Sequence, residues 1–244
     1  MPEVHTRREW IMHPLPRHLV LTGPELIQAF VHRKNHDSDM IDGAIRRLNQ
    51  MDATIFSSGH PARWRHFLES DFAMNSLAGY NPELILTVYN QFVNVDYSVP
   101  SCQMLIIPVL VDTIWCAYMF DTYFSELHIL DPAHSTERYK LHQQLHPILD
   151  DSLRKCLTSF YQGWSLEPLD QWKLKYPQLE PVFNSDDCGT IMLHYARNYN
   201  GMYLDEPLNE ENIAHAGHSL MLEILYLEGN TAALPQAVAE IFRS

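Results

Sequence analysis

Apolar positions along this chain follow two rhythms. After Thr22-Gly23, Pro24-Glu25 open a short helix with Leu26, Ile27 and Phe30 on one face. Ser38 reads as the cap of a second helix carrying Met40, Ile41, Ala44, Ile45 and Leu48. MDATIFSSGH, residues 51–60, reads as loop, and Ala62–Phe72 and Pro82–Phe92 read as further helices. At Cys102 the texture changes. CQMLIIPVLV, TIWCAYMFD and ELHILDP are short runs rich in β-branched and aromatic residues, which predicts two hairpins of antiparallel strands. Pro108 is expected at a bulge or an edge. Helical spacing returns over Ser135–Trp164, with a break at Pro147. A loop punctuated by Pro168, Pro177 and Pro181 leads to a helix over Gly189–Tyr199. The clearest helix is Asn209–Glu228, with Ile213, Ala216, Leu220, Ile224 and Leu227 as its stripe and Gly229-Asn230 at its end. The start of the chain, with Pro2, Pro14 and Pro16, reads as irregular. The expected organisation is a lead-in over 1–18 and one domain over 19–244. Helices, a strand meander and helices again make an α+β fold.

Composition narrows the function classes. The chain has 244 residues, 46% of them hydrophobic, enough to bury a core without disulfides. Its net charge of −13 is the wrong sign for a nucleic-acid binder. No apolar run reaches the roughly 18 residues of a membrane span. MPEVHTRREW has no apolar core of a secretory signal. Cys102, Cys116, Cys156 and Cys188 match neither a zinc pattern nor a CxxC pair. The expectation is a protein with reduced thiols inside the cell, in nucleus or cytoplasm. Glycine-rich phosphate loops are missing from the sequence, and no cofactor is expected. The spacings of His142 with His146 and of His215 with His218 suit a metal, but HQQLH lacks the glutamate of HExxH. These pairs read as solvated helix faces, and no metal is expected.

The sharpest chemical signal is FNSDDCGTIMLHYA, residues 183–196. Cys188 sits where a loop turns into a helix. There the helix dipole and free N–H groups favour a thiolate and can stabilise an oxyanion. The plainer alternative is a buried structural cysteine.

A second signal is DTIWCAYMFD followed by LHILDP. Together the two segments resemble the Ulp1/SENP cysteine proteases, which cleave SUMO and related ubiquitin-like modifiers. That family reads His-Trp on a strand, an aspartate ending the next strand, and Gln-x-Asn-x-x-Asp-Cys-Gly opening a helix. Trp115 matches the tryptophan, Asp131 the aspartate, and Asn184-Ser185-Asp186-Asp187-Cys188-Gly189 the nucleophile motif. HDSDMID at 36–42 resembles a family element near the N-terminus. The resemblance spans about Leu19 to Phe242, and its texture is similar to divergent plant members. It implies a papain-like fold of the Ulp1 type, an antiparallel meander flanked by helices. It also implies Cys188 and Asp131 as catalytic residues, and Trp115, His36, Asp187 and Gly189 beside the substrate tail.

Two family positions are apolar here. The catalytic histidine falls on Ile114, and the oxyanion glutamine on Val182. Strand alternation turns His128 away from Asp131. His36 is the best replacement base, His134 a weaker one, and His194 lies too far along the Cys188 helix. Two functions follow. In one the chain is a catalytically degenerate interaction module that binds a protein, SUMO or another ubiquitin-like modifier. In the other it is a working thiol isopeptidase with Cys188 as nucleophile and a relocated base. Neither nucleic acid nor membrane is expected as a partner.

Overall fold

A computed structural model describes residues 8–56, 63–162, 172–179 and 185–241. Two strands come first, β1 (Glu9–His13) and β2 (Leu19–Thr22), paired antiparallel. The lead-in is therefore not irregular over 9–13. Trp10 and Ile11 are buried, and their burial makes a strand of a segment whose prolines suggested none. Helix α1 (Gly23–Leu26) continues as a π-helical turn over Ile27–Val31.

Helix α2 spans Ser38–Phe56, so residues 51–56, read as loop, are helical. Its cap is Asp37 rather than Ser38, since Asp37 Oδ1 accepts the Met40 N–H at 2.9 Å. The stretch 63–72, read as helix, holds strand β3 (Arg65–Phe67) before α3 (Ser70–Leu77). A 3₁₀ turn at Pro82–Leu84 and α4 (Leu86–Val93) follow.

The centre is β4 (Met104–Val111), β5 (Ile114–Asp121) and β6 (Glu126–Leu130), the meander of two hairpins that the sequence predicts. Two short strands extend it. β3 pairs parallel to β4, and β7 (Lys173–Lys175) pairs parallel to β6, giving the order β3-β4-β5-β6-β7. The sheet is thus mixed, and β7 lies in a segment read as loop.

Pro108 sits in regular register opposite Ala117, with no bulge. Met104 N and Ile106 O bond toward the β3 side, to Trp64 O and Leu68 N. By strand alternation the Pro108 nitrogen faces that same side, beyond the end of β3, where its missing donor breaks no bond to β5.

Helix α5 runs unbroken over Thr136–Phe160, passing through Pro147. Its cap is Ser135, whose side chain accepts the Arg138 N–H at 3.2 Å. Helix α6 is Cys188–Asn198. Helix α7 is Ile213–Leu225, shorter than the sequence suggested because Asn209 and Asn212 tie the preceding residues into a turn. A final helix, α8, covers Gln236–Ile241.

Two helices cover the two faces of β5. Tyr118 bonds to His142 of α5, so the face of Ile114, Cys116 and Tyr118 meets α5. His128 stands opposite Met119 and bonds to Tyr199 just after α6, so the other face meets α6. Every residue of β5 is buried.

Candidate active site

The N-terminus of α6 places Cys188 against the start of β5. The Trp115 N–H points at Cys188 Sγ over 3.4 Å, and the thiol faces Thr113 O at 3.8 Å. Cys188 is 1% exposed. Burial pushes its thiol above the ordinary value. The N–H groups of Trp115 and Gly189 and the charge of Arg138 pull it down, and Asp187 pushes it up. The helix N-terminus thus does not win over desolvation.

A segment between α1 and α2 lies across this point. Arg33 stands in the left-handed region at φ 55°. Its guanidinium forms a fork with both oxygens of Asp187, the Nε contact being 2.7 Å. Three residues on, His36 O accepts the Trp115 indole N–H at 2.8 Å. The His36 side chain lies against Gly189, where a Cβ would fall 2.5 Å from its Cγ, so only glycine fits there. Trp115, His36, Asp187 and Gly189 therefore meet around Cys188. His36 is not poised as a base, however. Its Nε2 lies 3.3 Å from Thr190 Oγ1, and its Nδ1 has no hydrogen-bond partner among the described residues. Burial lowers its pKa to about 4, against the pull of Asp187. Among the described residues no imidazole hydrogen-bonds to Cys188 Sγ.

Asp131 is where the site departs furthest from expectation. Its Oδ2 accepts from Arg138 Nε at 2.6 Å, His142 Nε2 at 2.8 Å and Tyr176 OH at 3.0 Å. Its Oδ1 accepts the Ala133 N–H at 2.9 Å. Burial pushes this carboxyl up, but His142 and Arg138 hold it well below the usual carboxylate range. The ionised aspartate fixes the tautomer of His142. Nε2–H donates to Asp131, and Nδ1 accepts a hydrogen bond from the Tyr118 O–H at 2.6 Å.

His142 is fully buried, which corrects the reading of its helix face as solvated. The sheet covers that face, and Asp131 and Tyr118 satisfy the ring. Sequence reasoning passed over Arg138 and gave His142 no role at Asp131, yet a signal existed. They lie four apart on one face of a helix that Ser135 caps, just after an aspartate.

Other histidines that the sequence singled out have surroundings of their own. His128 bonds to Tyr199 OH on the α6 face of the sheet, as strand alternation predicted. His134 stacks on Tyr176 with ring centroids 4.1 Å apart, and His194 faces Glu206 O at 2.7 Å. His215 and His218 are exposed. Val182 lies outside the described residues.

Donor atoms of Cys116, Asp131 and His142 lie within 4.8 Å of one another, a grouping that suits a metal by type. Arg138 already supplies the positive charge there, bonding both Asp131 Oδ2 and, at 3.4 Å, Cys116 Sγ. Burial pushes the Cys116 thiol well up, with Asp131 adding to it. A cation would have to displace that guanidinium, so these residues fit a closed hydrogen-bond network better than a metal.

No family model matches the chain, and no curated protein matches it by sequence. Solved structures do. The Chaetomium thermophilum Ulp1-like SUMO protease catalytic domain superposes with a TM-score of 0.64 at 13% identity, over 96% of this chain and 88% of that one. The fold is that of the Ulp1-type SUMO proteases. Ulp1 with its catalytic cysteine oxidised to a sulfenic acid superposes with a TM-score of 0.64 at 11% identity, over 90% of this chain and 89% of that one. The C-terminal Ulp1 protease domain in complex with Smt3, the yeast ortholog of SUMO, gives 0.59 at 12%, over 91% and 89%. Identity this low carries the Ulp1 architecture and nothing of the reaction.

Proposed function

We propose that this chain is a catalytically degenerate Ulp1-type protein that acts as a protein-interaction module. Its partner is a ubiquitin-like modifier or another protein seated where a modifier tail would lie. The observation that carries this reading is the engagement of Asp131. In a thiol protease the aspartate orients a histidine, and the histidine takes the thiol proton. Here Arg138, His142 and Tyr176 share the Asp131 oxygen that would do so, and the position preceding Trp115 is Ile114. A thiol already above its ordinary value carries under the few per cent of thiolate that a free cysteine has at neutral pH. In subtilisin, removal of the base costs about 10⁶ in rate, and a loss of that order leaves no useful peptidase.

Support for a protein partner comes from the Ulp1 domain solved with Smt3. The second reading, a slow isopeptidase, draws on one feature, the N–H groups of Trp115 and Gly189 at Cys188 Sγ. A SUMO or ubiquitin probe with a C-terminal electrophile separates the two. The degenerate module forms no stoichiometric adduct, and Cys188→Ala binds the unmodified modifier as well as wild type does. A stoichiometric adduct on Cys188 overturns the proposal in favour of the isopeptidase.

A further inference from the structure

A cavity of about 390 Å³ opens between the β1–β2 hairpin, α2, β3 and the segment after α4, and it shares no lining residue with the Cys188 site. That volume lies at the lower end of the range for small-molecule sites, about 300–1,000 Å³. Its wall is largely apolar, with Leu15, Phe67 and Val95 contributing.

One charge in it has no ion-pair partner among the described residues. Arg63 is 8% exposed, its guanidinium lies over the Tyr97 ring at 3.8 Å, and its Nη2 donates to Asn49 O at 3.0 Å. It forms no ion pair among the described residues, and the preceding Ser-Ser-Gly-His-Pro-Ala, residues 57–62, brings no carboxylate. The neighbouring arginines differ. Arg46 holds Glu69, Arg65 holds Asp52, and Arg17 holds Asp39 and Asp42. Glu69 and Asp96 also line the cavity, but the first is taken by Arg46 and the second is exposed at the rim. His66, bonded through Nδ1 to Tyr97 OH at 2.6 Å, is neutral, since burial lowers its pKa to about 3. A buried guanidinium without a carboxylate is costly, and Arg presents a fork matched to one.

We propose that this cavity binds a small organic carboxylate, its anion against Arg63 and its apolar body against Leu15, Phe67 and Val95. The inference is independent of any activity at Cys188. Calorimetric titration of the full chain with benzoate and with hexanoate tests it. At least one acid is expected to bind saturably, one per chain, with a Kd below about 1 mM. Benzamide and hexanamide are expected to bind at least about tenfold more weakly. Arg63→Gln is expected to lose about tenfold or more, and Cys188→Ala to bind as wild type does. Should Arg63→Gln fail to fold, Ala53→Leu fills the same cavity with the charge intact and is expected to abolish binding. If neither acid binds saturably, or if amide and acid bind alike, the proposal is wrong.

Discussion

At the scale of single residues, the region of Cys188 is organised by one atom that is missing. Gly189 has no Cβ, and the His36 ring occupies that space. His36 in turn brings its carbonyl onto the Trp115 indole, and Arg33 clamps Asp187 from the same segment. Gly189→Ala therefore cannot be absorbed by a rotamer change, because the clash is with Cγ, Nδ1 and Cβ, close to the His36 backbone. The segment must move, at a cost of about 1–3 kcal/mol typical of overpacking. With it goes cover from the neighbouring thiol. Iodoacetamide labelling of Cys188, read by peptide mass spectrometry, is expected to speed up by about tenfold or more over wild type, a factor worth about 1.4 kcal/mol. An unchanged rate refutes this account of the segment. Much of this region was legible in the sequence. Cys-Gly at a loop-to-helix junction and Trp115 on a strand are local patterns. The fate of Asp131 was not legible, because Arg138 and His142 approach it only once α5 has folded back over the sheet.

At the scale of elements, the same distinction between local and distant causes decides which predictions held. The meander and α6 carry their own signals, short runs of β-branched and aromatic residues in one and a helical stripe in the other. Strands β3 and β7 are three residues each and exist because β4 and β6 offer open edges to pair with. No periodicity can be read from so few positions. Helix α5 shows the reverse case, in which a strong local signal is overruled. Pro147 argues for a break, yet the helix continues to Phe160, because Leu149, Leu153, Cys156 and Leu157 beyond the proline are buried. Their burial offsets a lost hydrogen bond and a ring clash of about 3 kcal/mol. Pro147 itself is exposed, so nothing in the core depends on its ring. Pro147→Ala is accordingly expected to stabilise the protein by about 1–3 kcal/mol, measured as a higher denaturation midpoint at unchanged slope. A lower midpoint means that the proline shapes the packing of α5, contrary to this view.

At the scale of the whole molecule, buried titratable groups of opposite kind act against each other as the pH changes. His36 and His66 are held neutral, with pKa values near 4 and 3. Below about pH 6.5 the unfolded chain binds protons that these rings refuse, so they reduce stability on acidification. Asp150 works the other way. It is 3% exposed, its Oδ1 has no hydrogen-bond partner among the described residues, and burial raises its pKa to about 7, against the pull of Arg154. Its protonated form suits the fold. It therefore favours folding below the ordinary carboxylate value, and that contribution is lost as the pH rises from about 4 toward 7. Asparagine in its place has the shape of the neutral acid and no proton to lose. Asp150→Asn is thus expected to melt above wild type at pH 8, with the advantage shrinking through pH 6 and vanishing near pH 4. Because both proteins keep His36 and His66, those contributions cancel in the difference, and the comparison isolates one carboxyl. A constant offset between the two melting curves across that range refutes the burial of an uncompensated acid in α5.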